Sequence, residues 1–294
     1  MIERVRVQLT AWARWRGIVS KIATFLILGW LAYWLYENRA LTFQVFTELG
    51  ALGLLASLAA MTVTLWLSSV AFAMLVRGMG YNDFSALDAY HCLNLSQIAA
   101  MLPGKVWGYA GLAGLLWARQ ISKRDSVAII ALNTGLMLSA CALVALSGSS
   151  YALVALAPLI ALLLTRDALE NLRQRFFSDG SPLPARGVLF NFLVIAIVVW
   201  AISGAIFAWL AQSSAANVSP LALVSAYAAG YLAGYISLIA PAGLGVSEGV
   251  TSILLASSIG IERAFAVALT FRIIQTLAQW TNIFVSLILL NRVK

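Results

Sequence analysis

Charge is what this chain has least of: only 10% of its 294 residues are Asp, Glu, Lys or Arg, while 62% are hydrophobic. A soluble domain is about a quarter charged, and its surface must be wetted as the chain grows. One water-soluble globule is therefore excluded. Cysteine is scarce as well. Cys92 and Cys141 both lie in apolar runs, which excludes a disulfide framework and a zinc-ligand spacing. The lone histidine, His91, has no second histidine for a metal. There is no Walker-type phosphate loop, no serine elbow and no zinc-binding helix motif. Nor is any polar stretch long enough for a separate catalytic domain, so the expectation is a protein that is not an enzyme and holds no cofactor or metal. Short alternating segments of the transmembrane-barrel kind are missing too.

What remains is long apolar runs, and about 20 apolar residues suffice to cross a bilayer as a helix. Helices satisfy their own backbone donors and acceptors in lipid, so the sequence predicts an all-α integral membrane protein occupying 1–294 as a single domain. Full crossings are expected at about 18–36 (an uncleaved first helix), 49–76, 126–146, 151–165 with a kink at Pro158, 188–212 and 264–290, six in all. Residues 37–48 read as a short polar loop, and 166–186 as a longer charged one.

Two apolar segments fit no simple crossing. Residues 87–117 are too few for two passes and are broken by Met101-Leu102-Pro103-Gly104-Lys105. Residues 221–258 are broken by Ala240-Pro241-Ala242-Gly243-Leu244-Gly245. Proline and glycine end helices. Each segment therefore reads as a broken, re-entrant hairpin, although the halves of the second also allow two shallow crossings. The net charge is +8, and fifteen of the nineteen Lys and Arg fall on the side of the N-terminus. Only Arg39 and Arg263 fall on the other side, and Lys105 and Arg272 lie within membrane segments. The positive-inside rule puts both termini in the cytoplasm; the basic balance reflects this topology and not nucleic-acid binding.

A shift of 138 positions carries Pro103 onto Pro241 and the charged turn at Ser122–Ala128 onto Gly260–Ala266. Both copies read as apolar half, break, apolar half, charged turn and long apolar helix. The repeats run from about 49 to 147 and from 188 to 290. In the topology above the hairpins enter from opposite faces, so the copies are inverted, the pattern of transporters whose broken helices meet near the midplane.

Ionisable residues at depth mark candidate sites. Lys105 at the first tip is either an anion contact or a snorkelling lysine. Glu248 follows the second break and Arg272 lies in the last helix; they pair across a cavity, with Glu248 neutralising Arg272 or carrying a coupling proton, or they form a structural salt bridge. Gln275 and Gln279 share a face with Arg272, and Asn94 shares one with Gln97. These amides line a polar path or hold helices together. His91 and Asp88 sit at the inner mouth of the first hairpin, where a solvated interface histidine is the plainer reading and pH sensing the alternative. Trp107, Tyr109 and Trp117 read as packing or interface anchors.

The run Leu102-Pro103-Gly104-Lys105 with Gly108 resembles the first motif of the lysylphosphatidylglycerol synthase transmembrane-domain family of flippase-like proteins. The run Pro241-Ala242-Gly243-Leu244-Gly245-Val246-Ser247-Glu248, with Ile259-Gly260-Ile261 and Arg272, resembles the second. Three departures stand out: Pro241-Ala242-Gly243 for a Pro-Gly-Gly run, Ile239 where a second proline is common, and Asn133-Thr134 near the usual acid–arginine pair. The resemblance implies a standalone lipid flippase or translocase of the cytoplasmic (inner) membrane. Lys105, Arg272, Glu248, Gln275, Gln97 and Asn94 would meet an anionic headgroup between breaks made by Pro103, Gly104, Pro241, Gly243 and Gly245. Membrane lipids are the implied partners, with a lipid-synthesis enzyme as a further one. The rival readings are a membrane-embedded glycosyl- or aminoacyl-transferase and an accessory subunit of a lipid-modification pathway.

Overall fold

The computed structural model describes residues 29–30, 32–100, 106–147, 170, 182–212, 217–237 and 243–292, which form helices and no strand. Most of the first expected crossing, the fourth, most of the charged loop, Pro103, Gly104, Lys105 and Pro241 lie outside these residues. The principal helices are α1 (Arg39–Gly78), α2 (Ala86–Ala100), α3 (Val106–Ala118), α4 (Lys123–Leu146), α5 (Arg186–Gln212), α6 (Pro220–Ile236), α7 (Val246–Ile259) and α8 (Ile261–Arg292). Among the described residues four helices, α1, α4, α5 and α8, are long and apolar enough to cross a membrane.

Local chemistry sets the boundaries. Ser122 caps α4 by accepting the Asp125 N–H at 3.1 Å, and Ser219 caps α6 by accepting the Ala222 N–H at 3.2 Å, with Pro220 in the first turn. Ser85 and Asp88 cap each other at the start of α2: Asp88 Oδ2 accepts the Ser85 N–H at 2.9 Å and Ser85 Oγ accepts the Asp88 N–H at 3.0 Å. One expected loop is helical instead. Residues 39–49 join α1, with the change of direction at Gly50, whose φ of 68° only glycine adopts freely. A segment with neither proline nor glycine before Gly50 lets the helix propagate back to Arg39.

The halves of both broken segments are short: 15 and 13 residues in α2 and α3, 17 and 14 in α6 and α7. At about 1.5 Å per residue each falls short of a hydrocarbon core about 30 Å thick. Each pair packs as a hairpin, α2 on α3 and α6 on α7.

Exchanging α1 with α5, α2 with α6, α3 with α7 and α4 with α8 leaves the pattern of close helix pairings unchanged. Thus α1–α2 matches α5–α6, α2–α8 matches α6–α4, and α1–α8 matches α5–α4. Equivalent helices run in opposite directions. Gly53 near the start of α1 abuts Trp209 near the end of α5, while Gly78 at the end of α1 abuts Pro184 and Val188 at the start of α5. Helix α8 runs parallel to α1, because Arg263 binds Glu48 and Asn282 binds Thr62. Helix α2 runs against α1, because Trp66 stacks on Tyr90 and Phe72 meets Phe84.

Glycine sets the spacing within the second hairpin. A methyl group at Gly230 of α6 would come within 2.7 Å of the Ser247 carbonyl oxygen of α7, and one at Gly234 within 2.8 Å of Ser247 Cβ. This is the small-residue contact that lets membrane helices approach without a hydrophobic drive. Gly114 of α3, by contrast, has open space around it. Gly230→Ala should cost about 1–3 kcal/mol by overpacking, seen as a lower midpoint of thermal unfolding in detergent, whereas Gly114→Ala should leave the midpoint unchanged. Equal midpoints for the two variants would contradict this packing.

Candidate functional site

The second break delivers the chain to α7 through two left-handed glycines, Gly243 (φ 73°) and Gly245 (φ 80°). Gly243 is required twice over, since a Cβ there would also lie 2.8 Å from the Gly234 carbonyl oxygen. Glu248, in the first turn of α7, reaches back so that its Oε2 accepts the Gly245 N–H at 2.7 Å. Its Oε1 accepts the Arg272 Nε–H from α8 at 2.6 Å. The carboxylate thus meets a cation, a backbone donor and the positive end of a helix dipole at once. Glu248 is 2% exposed, whereas the Arg272 side chain keeps 17% of its surface open.

One turn along α8, Gln275 donates to the Tyr227 hydroxyl of α6 at 2.9 Å. Helix α8 therefore ties down both halves of the second hairpin. Tyr227, Tyr231 and Tyr235 follow at four-residue spacing and share one face of α6. Phe207 stacks on Tyr227 at 5.4 Å, and Trp200 lies edge-on to Tyr231 at 4.5 Å. Tyr235, just before the second break, hydrogen-bonds Tyr109, just after the first, so α6 and α3 touch through these hydroxyls. The pocket beside Glu248 and Arg272 is closely filled by Phe207, Tyr227, Ser247, Thr251, Phe271 and Gln275.

A second polar cluster lies between α1, α2 and the far half of α8. Tyr90 donates to Asn282 Oδ1 at 2.7 Å, Asn282 donates to Thr62 Oγ1 at 3.2 Å, and His91 Nδ1 and Ser286 Oγ share a hydrogen bond of 2.6 Å. Asn94 donates to the Tyr90 carbonyl at 2.8 Å, and its Oδ1 is buried with no partner. His91 is 4% exposed, which corrects the solvated-interface reading: the α8 backbone comes close enough for Ser286 to cover the ring. Asp88 forms an ion pair with Arg119.

Of the residues singled out from the sequence, the structure brings Glu248, Arg272 and Gln275 together, with Gly243 and Gly245 supplying the turn. Asn94 joins the Tyr90–Asn282 cluster instead, and Gln97 is half-buried near the end of α2. Lys105, Pro103, Gly104 and Pro241 lie outside the described residues. Tyr227, Tyr231 and Tyr235, and the continuation of the α8 stripe to Asn282 and Ser286, were not singled out. The four-residue spacing of the tyrosines and the three-and-four spacing of the stripe were the available signals. Tyr109, read as an anchor, makes the contact between the breaks. Among the described residues no three metal-ligating side chains converge. Comparison with protein-family models, curated proteins and solved structures finds no match.

Breaking a buried ion pair from one side strands a charge and costs about 3–5 kcal/mol. Glu248→Leu and Arg272→Met should each lose stability of that order in denaturant unfolding in micelles. The double variant should lose less than the two together. Additive losses would show that the pair is not coupled.

Proposed function

We propose that the chain is a translocase for an anionic lipid or a polyprenyl-linked lipid in the cytoplasmic membrane. It would be a standalone relative of the lysylphosphatidylglycerol synthase transmembrane-domain family, with six full crossings, two re-entrant hairpins and both termini inside. The observation that carries this reading is the buried Glu248–Arg272 pair at the start of a half-length helix. A buried ion pair is a poor way to gain stability, since apolar replacements often do as well, and ionisable residues at membrane depth mark transport sites by default. The opposed directions of equivalent helices support an inverted repeat, the architecture of alternating access.

In this mechanism the Arg272 guanidinium exchanges Glu248 for the headgroup phosphate, which it takes bidentately. Gly245 and the N-terminus of α7 contribute backbone dipole to the same place. The acyl or prenyl chains stay in the bilayer. Separation of Tyr109 from Tyr235 opens the space between the hairpins, and the pseudo-symmetric bundle offers two equivalent arrangements, one open to each side.

Proteoliposomes containing fluorescent phosphatidylglycerol and fluorescent polyprenyl phosphate test this directly. Dithionite quenching should show faster exchange between leaflets than in empty liposomes, with Arg272→Gln slowing it at least tenfold. Exchange no faster than in empty liposomes for either lipid would overturn the reading. Covalent change of the lipid without movement would favour the transferase alternative.

A further inference from the structure

Five polar residues of α8, Arg272, Gln275, Gln279, Asn282 and Ser286, recur at spacings of three and four, so they share one helix face. They extend over about 21 Å at 1.5 Å per residue. Each end of this stripe is occupied by an ionisable group from a different hairpin: Glu248 of α7 on Arg272, and His91 of α2 on Ser286. Between them stand Tyr227 on Gln275, Tyr90 and Thr62 on Asn282, and the half-buried Gln279. The orphaned Oδ1 of Asn94 sits one helical turn past Tyr90. Because α2 runs against α8, that turn leads toward Gln279. A buried acceptor without a partner is rare and normally marks an internal water or ion. The stripe therefore joins the inner mouth of the first hairpin to the carboxylate of the second through hydroxyls, amides and one unfilled acceptor.

Resting on the translocase reading, we infer that headgroup movement is coupled to a proton, which travels along this face of α8 between His91 and Glu248. The chemistry balances at the pair. A proton arriving on Glu248 converts the carboxylate to the acid, and its ion pair with Arg272 breaks. The released guanidinium then binds the phosphate monoanion. Proton and anion cross together, with no net charge moved, and loss of the proton on the far side restores the Glu248–Arg272 pair and expels the phosphate. Without the proton, Glu248 and the headgroup compete for one cation.

The groups facing each titrating side chain are consistent with this path. Around His91 stand Ser286 from α8, Tyr90 on its own helix, and Asp88 one turn earlier, paired with Arg119 beyond α3; α1 brings Arg77 to this end. Around Glu248 stand Arg272 from α8 and Tyr227 from α6. Asp88 and its neighbours thus place charged groups at the inner mouth, and among the described residues the groups named along the stripe are neutral hydrogen-bonding ones.

The test uses the same proteoliposomes, with fluorescent phosphatidylglycerol and fluorescent polyprenyl phosphate as probes, and compares equal pH on both sides with an acidic exterior. Empty liposomes under the same gradient supply the background. The expected result is a steady excess of probe in the inner, alkaline-side leaflet that collapses on adding a protonophore. His91→Gln retains a partner for Ser286 but cannot carry the proton; it should slow the build-up of the excess at least tenfold. Glu248→Gln should abolish the excess. Exchange at equal pH with no excess under the gradient would overturn proton coupling and leave the translocase reading standing. Absence of exchange in both arms would remove the translocase reading, and the coupling with it.

Discussion

A carboxylate almost wholly removed from water keeps its charge only if the protein supplies what water would have supplied. Glu248 receives an arginine, a backbone N–H and a helix N-terminus, all within one turn. Each of those donors makes its own demand on the sequence. The N–H points correctly only because Gly245 takes a left-handed conformation. The helix starts there only because the chain has just been broken. Arg272 reaches across only because glycines at 230 and 234 let α6 and α7 pack closely enough to present the pair to α8. The second hairpin is organised around one buried charge.

The first hairpin is built on different chemistry in the same geometry. Its close approach again comes from small residues, with Gly108 and Gly111 of α3 against Ala100 and Ala99 of α2. Where the second hairpin meets α8 through an ion pair, the first meets it through Tyr90, His91, Asn282 and Ser286. Helix α8, like α4, thus packs on both hairpins, and it holds one with its first half and the other with its second. Equivalent pairings in an otherwise symmetric bundle are thus made with unequal chemistry.

Much of the architecture was legible before any coordinates. Hydropathy marked the long helices, and Pro and Gly inside apolar runs marked both broken segments, because few other residues interrupt a membrane helix. The 138-residue shift aligned the two copies through their prolines, although side-chain identity between them is low. Contact geometry needed no identity, and the symmetry of the pairings is sharper than that of the sequence. The extension of α1 back to Arg39 was missed because Glu48 and Arg39 look like loop residues, whereas Glu48 is held by Arg263 at 3.0 Å. Burial of His91 was missed for a related reason: only tertiary packing brings Ser286, 195 positions away, over its ring. Glu248 and Arg272 were legible as deep charges from the cost of burying them, while the tyrosine face of α6 carried no such cost and attracted no notice.

Alternating access in this chain requires the two hairpins to enter the membrane from opposite faces, with α8 crossing between them. Lys123 at the start of α4 and Glu262 at the start of α8 are both exposed and lie in the matching first turns of the two copies. In a background where the buried Cys92 and Cys141 are replaced by alanine, a single cysteine at each position can be probed with a membrane-impermeant maleimide on intact cells. Labelling at 262 from outside, with labelling at 123 only after the membrane is opened, is the predicted result. Labelling of both positions from the same face would contradict it.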